Sequence, residues 1–484
     1  MAAIVSPGDG AAPRTARAPL PLANFASLGS GELVSRVIAF VVTAMLTRRL
    51  GVSGFGQLAF ATAITSFLII TPNLAIQDLG SRAIARAPQD AARIVASVTR
   101  IRLPLGMAGV LAVVILALLL PSASPSQRAL IALSGLSVIP QSINASWGYK
   151  ALERTHSVGA ALVLTQVVSI IGVLLFVHDG SNLLRVPAVQ AAGELAAAVL
   201  LARLLVAEWS RGSVREGRDL VEGAGTILLN RLLRAIIVTA DMVLLGQLVD
   251  AAQVGLYSAA YRVCFLLAAI AASAHIVFQP ALMRAHDDPR AASVVLTDAI
   301  WLAAAVGFPL VAGGMMVAPD LLALLFGEPF RLADGAFRIL LLSTGVLFIH
   351  GALYGAYIAR HQLKLQTRVI GAAAALNLGL NALLIRPYGI MGAAVATLTA
   401  ELLILACTAT LLRQWEWRPD FSVLARPTIA AGLMCGVLAL VPPSVHVLLR
   451  IVAAGAAYLV ALTLMGALPP QIRDRLSRVL SRAR

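Results

Sequence analysis

Lysine is nearly absent from this chain of 484 residues: Lys150 and Lys364 stand against 36 arginines. Charged residues of all kinds make up 13%, about half the share of a soluble globular protein. The three cysteines, Cys264, Cys407 and Cys435, fall in separate apolar stretches, which excludes a disulfide scaffold and a cysteine-based metal site. Neither lysine lies in a phosphate-loop motif, so ATP hydrolysis of that type is excluded. No H-E-x-x-H or G-x-S-x-G segment occurs, and no cofactor is implied. The longest polar loops run to about 25 residues, too short for the large extra-membrane loop of a membrane glycosyltransferase or polymerase.

Long apolar runs are what the chain has. Hydrophobic residues are 59% and the mean hydropathy is +0.87. A bilayer span needs about 20 mainly apolar residues. The runs predict fourteen spans over 28–47, 55–78, 103–121, 129–147, 158–178, 186–208, 224–247, 254–278, 293–318, 335–358, 368–385, 389–412, 423–442 and 447–468. The basic residues alternate between them, 25 on one side and 7 on the other, with six inside spans. The rich side is placed in the cytoplasm, together with both termini. The net charge of +15 is spread over eight segments on that side, so topology accounts for it and no nucleic-acid partner is needed.

The chain divides accordingly. The expected parts are a disordered cytoplasmic tail over 1–24, an N-terminal six-span lobe over 25–210, a cytoplasmic linker over 211–222 and a C-terminal six-span lobe over 223–414. Two further spans follow over 415–468. The tail 469–484 alternates arginine with apolar residues and reads as an amphipathic helix on anionic lipid. The lobes carry marks of duplication. Arg36 precedes Gly51 by fifteen residues, as Arg231 precedes Gly246. Gly148 precedes Glu194 by 46, as Gly355 precedes Glu401. The offsets map span one onto seven and six onto twelve. The fold expected is an all-α integral membrane protein whose lobes are related by a pseudo-two-fold along the membrane normal.

Several segments in order carry a resemblance. They are Leu46 to Gly51 with Gly54-Phe55-Gly56, Asp241 to Gly246 with Val254 to Tyr261, Leu324 to Gly327, and Asn377 through Asn381 to Ile385–Ala394. Together they resemble the Wzx-type oligosaccharide flippases of polysaccharide biosynthesis, in the multidrug/oligosaccharidyl-lipid/polysaccharide exporter superfamily. The resemblance implies a transporter, not an enzyme. Its cargo would be an undecaprenyl-diphosphate-linked oligosaccharide, its partners the bilayer and the glycan polymerase and glycosyltransferases of one pathway, and its unit a monomer. It also implies a cationic central cavity with arginine on the first and eighth spans, matched here by Arg36 and Arg262. Lipid II flippases and drug or cation antiporters of the superfamily are the rival readings.

The residues themselves direct attention to the membrane arginines. A cation at the bilayer centre costs about 2.5–3.5 kcal/mol on insertion scales. Arg203 and Arg338 lie near span ends and can snorkel. Arg36, roughly 12 Å into its span, and Arg231, Arg234 and Arg262 need water or a partner. Glu32 is four residues from Arg36, and Asp241 seven beyond Arg234, each pair on one helix face. Two readings stand: an anion cradle, since guanidinium suits phosphate, or self-neutralising pairs Glu32–Arg36 and Arg234–Asp241. Asn230, Tyr257, Tyr261 and Tyr357 are further cavity candidates, the tyrosines by stacking on sugar rings. Glu194 and Glu401, at equivalent positions, are candidates for a proton relay or for bonds from helix to helix outside the cavity helices, the reading favoured here. His350 is expected to pack, and Asn377 and Asn381 to bond a neighbouring helix.

Overall fold

The computed structural model describes residues 22–66, 71–120, 123–202 and 224–466. Arg203, the linker 211–222, most of the 1–24 tail and the basic tail 469–484 lie outside them. Among the described residues all regular structure is helical, and eleven helices are long and apolar enough to cross a membrane.

Helix α1 (Leu22–Thr65) begins inside the stretch expected as tail and breaks direction at Gly51, whose φ of 68° and ψ of −179° are not helical. Glycine takes this conformation without a Cβ clash. The break lays the two arms side by side. Residues from Ala39 to Ser66 line one cavity, whereas a straight helix would spread them over about 40 Å. Helices α2 (Thr71–Arg86) and α3 (Ala91–Leu119) follow. The expected fourth span is not one helix. It is cut into α4 (Pro125–Ser134), a 3-10 turn, α5 (Val138–Ile143) and α6 (Ser146–Ala151). Arg102 of α3 explains how the cut is tolerated: its guanidinium donates to the carbonyls of Gln141 and Asn144 at the end of α5. Helices α7 (Thr155–Phe176) and α8 (Val186–Leu200) complete the first half.

The second half runs through α9 (Ala224–Leu248), α10 (Ala251–Ala285), α11 (Pro289–Met316), α12 (Ala318–Phe326), α13 (Asp334–Leu353) and α14 (Gly355–Ala359). It ends with α15 (Leu363–Gln414), which breaks at Gly389, with a φ of 54°. A Cβ on Gly392 would lie 2.2 Å from the Leu384 carbonyl oxygen, although eight residues of straight helix span about 12 Å. The chain therefore doubles back there, just after Pro387, which cannot donate to the helix ladder. Helices α16 (Ala425–Leu440) and α17 (Val447–Leu464) pack on each other, and α16 packs on α11. Arg450 of α17 bonds Asp320 at 2.8 Å.

Two contacts position the halves. Helix α1 packs on α10, and α2 on α9. At the first crossing Gly56 and Gly255 meet backbone to backbone. A Cβ on Gly56 would fall 1.7 Å from the Ala251 carbonyl oxygen, and one on Gly255 would fall 2.0 Å from that of Val52. The contact is reciprocal: Val52 and Gly56 face Gly255 and Ala251 in mirrored order. A second recurrence is local. Arg154 N–H bonds the Tyr149 carbonyl at 2.9 Å, and Gln362 N–H bonds the Tyr357 carbonyl at 2.8 Å. Each turn holds one residue in left-handed space, Glu153 at φ 58° and His361 at φ 55°. These are helix ends of the type in which a left-handed residue satisfies the last carbonyls, and they begin α7 and α15 alike.

Candidate functional site

Each half holds a chamber. The larger, of about 290 Å³, lies in the second half and is lined by Arg234, Tyr261, His350, Tyr354, Tyr357, Gln366 and Glu401, with apolar side chains between them. Arg234 comes from α9, Tyr261 from α10, His350 from α13 and Glu401 from the second arm of α15. Arg234 lays its guanidinium over the Tyr354 ring, 5.3 Å from the centroid. Tyr357 shares a 3.0 Å hydrogen bond with Thr408. His350 Nε2 bonds Glu401 Oε2 across the helices.

The smaller chamber, of about 240 Å³, lies in the first half and is lined by hydroxyls, three amides (Gln141, Gln166, Gln190), Glu194 and Arg262. Several of the hydroxyls bond to the carbonyl of the preceding turn, as Thr43, Thr62 and Thr65 do. Arg262 belongs to α10 of the second half. It reaches this chamber because α10 packs along α1.

The predicted arginine cluster is thus divided. Arg234 and Arg262 line different chambers. Arg36 lines neither and bonds Glu32 at 2.7 Å. The side chains of Asn230 and Arg231 are outside the described residues; the backbone of α9 puts them about one turn before Arg234.

Asp241 corrects the sequence reading more sharply. It was expected beside Arg234, in the cavity. It is instead buried and accepts from Tyr257 Oη at 2.7 Å, Asn381 Nδ2 at 2.8 Å and Thr397 Oγ1 at 2.6 Å. Seven residues of helix put roughly 10 Å of axial rise between the two groups, beyond ion-pair reach, and hydroxyl and amide donors satisfy the carboxylate. Asn381 also bonds Asn377 at 3.1 Å. This network ties α9, α10 and both arms of α15 together. It also takes Tyr257 out of the cavity: that ring is buried and stacked on Tyr261, centroids 6.1 Å apart.

Glu194 and Glu401 were favoured as helix-to-helix bonds outside the cavity helices, and each lines a chamber instead. Glu401 also makes the expected bond between helices, to His350. His350, expected to pack, bonds Glu401. No sequence signal joins those two, since 51 residues separate them; only their shared mid-span depth hinted at a meeting. Among the described residues no group of histidine, cysteine and carboxylate side chains has a metal-binding arrangement.

Helices that double back at glycines, chambers in both halves and arginines on apolar helices long enough to cross a membrane define a class: a multi-pass helical membrane protein. The solved structures agree in fold. The lipid II flippase MurJ in an inward closed conformation superposes with a TM-score of 0.75 over 90% of this chain and 98% of that one, at 14% identity. An inward-facing multidrug resistance MATE family transporter of the MOP superfamily superposes with a TM-score of 0.61 over 81% of this chain and 98% of that one, at 15% identity. Among curated proteins, the chain is 25% identical over 201 residues to a probable low-salt glycan biosynthesis flippase, Agl15, of Haloferax volcanii. That match covers 41% of this chain and 43% of Agl15, so it spans less than half of that relative's length. The sequence profile of the polysaccharide biosynthesis proteins matches residues 22–286. The chain belongs to the polysaccharide biosynthesis protein family.

Proposed function

We propose that the protein is a flippase that carries a polyprenyl-diphosphate-linked oligosaccharide, a repeat unit of O-antigen, capsule or exopolysaccharide, from the cytoplasmic to the outer leaflet by alternating access. The observation that carries this reading is the state of two arginines. Arg234 and Arg262 lie in membrane helices, open on chambers, and have no carboxylate partner among the described residues. Asp241 does not balance Arg234, because it is saturated elsewhere. Glu401 shares the chamber of Arg234 and Glu194 that of Arg262, with no ion-pair contact among the described residues. A guanidinium in a membrane without a direct ion pair is costly, and a diphosphate headgroup supplies a contacting anion with acceptors that suit the planar fork. Membrane potential, interior negative, drives such an anion outward at about 2.3 kcal/mol per charge per 100 mV.

The architecture of this reading is two six-span lobes, 25–210 and 223–414, joined by the linker 211–222, with 415–468 accessory. Counting α1 and α15 as two passes each, and adding α9 to the apolar helices, gives fourteen. The reciprocal Gly56–Gly255 contact supports a pseudo-two-fold axis between the lobes, since mirrored pairs of this kind mark an isologous interface. Both termini are cytoplasmic, in an inner membrane. A reporter fused in the 209–222 loop tests this and is expected to read cytoplasmic; an external reading breaks the six-plus-six arrangement.

The test of function is reconstitution with a lipid-linked O-antigen-type repeat unit, scored by its exposure in the far leaflet. Arg234→Ala and Arg262→Ala are each expected to lower the rate at least tenfold, because a charge-assisted hydrogen bond contributes about 1.5–3 kcal/mol. Lysine at either site restores it only partly. Full activity of the double alanine variant sinks the headgroup site. Lipid II, offered in parallel, decides between this cargo and the rival one.

A further inference from the structure

We propose that His350 and Glu401 form a proton-binding site linked to the anion site at Arg234, so that the larger chamber takes up a proton together with an anionic headgroup. The inference rests on the flippase reading for the identity of the anion, and on the chamber itself for the proton.

The geometry comes first. His350 sits on α13 and Glu401 on the second arm of α15, and their side chains meet directly. They are 9% and 13% exposed, and the surface they keep faces the chamber that Arg234 also lines. A proton can therefore reach the pair through the chamber. Imidazole is the side chain whose ordinary titration falls between pH 5 and 8, and an adjoining carboxylate forms one coupled unit with it.

The charge count gives the direction. A neutral imidazole beside an ionised carboxylate carries net −1. One further proton, held on either partner, brings the pair to zero. Among the described residues that line the chamber, Arg234 of α9 is the cation. The other titratable groups facing the pair are Tyr261 and Cys264 from α10 and Tyr354 and Tyr357 beside α14. Phenols and thiols in a low-dielectric site stay neutral at physiological pH. Asp241 lies behind the Tyr257–Tyr261 stack, outside the chamber wall.

An unloaded pair therefore balances Arg234 and competes with the anion. A loaded pair leaves Arg234 to the anion alone. Linkage makes the effect reciprocal: bound anion raises proton affinity by the factor by which the proton raises anion affinity. Proton and anion bind together, so a diphosphate headgroup crosses carrying less net negative charge.

The test is calorimetry of the purified protein in detergent with an undecaprenyl-diphosphate-linked monosaccharide, a diphosphate diester that carries no proton titrating in this range, run from pH 5.5 to 8.5 in buffers of different ionisation enthalpy. The wild type is expected to bind about tenfold more weakly at pH 8.5 than at 5.5, the size of one charge acting across a small chamber, and to take up a fraction of a proton on binding near neutrality. Glu401→Gln fixes the carboxyl position in a neutral form. It is expected to bind more tightly than wild type at pH 8.5, a gain that a merely structural role would not produce. The double variant His350→Gln/Glu401→Gln, which removes both proton acceptors, is expected to show no pH slope and no proton uptake. His350→Gln alone is expected to weaken the slope and the proton uptake near neutrality, which keeps the question open to measurement should the double variant fail to fold. A wild type without a pH slope, or a double variant that keeps it, overturns the proton site. A wild type that shows the slope yet moves no lipid-linked glycan overturns the flippase reading and leaves the proton site standing.

Discussion

Arginine does two different jobs in this chain, and the difference lies in what each guanidinium touches. Arg49 donates to the carbonyls of Val173 and Val177 at the end of α7, at 2.7 Å and 2.5 Å. Arg48 donates to the Leu324 carbonyl of α12, and Arg102 closes α5 in the same way. These fill the orphan acceptors at helix ends. Two carbonyls held by one planar fork is a task lysine does poorly, in keeping with a composition that has almost no lysine. Arg102 is the extreme case, with 0% of its surface exposed. Arg102→Lys is expected to cost about 2–4 kcal/mol, since it strands a buried carbonyl and a buried charge, and thermal unfolding in detergent will show it. Arg234→Lys, in a chamber wall, is expected to leave the unfolding temperature nearly unchanged. The sequence made the membrane arginines visible as anomalies of depth. It did not reveal that Arg102, between the second and third expected spans, is the most deeply buried basic side chain among the described residues. Depth along a helix is written in hydropathy; direction and partner are not.

At the scale of elements, hydropathy located most spans, because length and charge alone decide what a bilayer accepts. It read the break at Pro387-Tyr388-Gly389 correctly, since proline and glycine act through local backbone terms. It read the fourth span as one helix, because the cut there depends on an arginine from another helix. The helix ends before α7 and α15 were invisible for a related reason. Glycine is the usual left-handed residue at such an end, and here Glu153 and His361 occupy it. A non-glycine residue there carries roughly 1–2 kcal/mol of local strain. Part of the gain from relieving it is offset, because glycine gives the unfolded chain more conformational entropy to lose on folding. His361→Gly and Glu153→Gly are therefore each expected to stabilise the protein by about 0.5–1 kcal/mol, read as a rise in the thermal midpoint. His361→Val, which adds a branched Cβ in left-handed space, is expected to lower it.

At the scale of the molecule, the two halves touch most closely where there is no side chain to keep them apart. The Gly56–Gly255 crossing sits a few residues from the Gly51 break, at the end of the bundle where Phe55 also meets Phe330 with ring centroids 6.3 Å apart. On the proposed topology this is the outer end, and its closure keeps the chambers off that face. Alternating access then requires this crossing to part. The expected repeat rests on equal spacings of arginine, glycine and glutamate in the sequence. That the two glycines oppose each other was not legible there, since spacing says nothing of which copies meet. The consequence is testable. A methyl group on Gly56 would stand 1.7 Å from a backbone oxygen, too close for any rotamer change to relieve, so Gly56→Ala must spread the crossing. Gly255→Ala must do the same from the other side. Each is expected to favour the state open at the outer end. The reporter is Thr62→Cys, in the wall of the smaller chamber, on a background with Cys264, Cys407 and Cys435 replaced. An impermeant maleimide added outside is expected to label it slowly when both glycines are present and at least several-fold faster with either alanine. Equal labelling in all three proteins would mean that the crossing is not the gate, and that the halves part elsewhere.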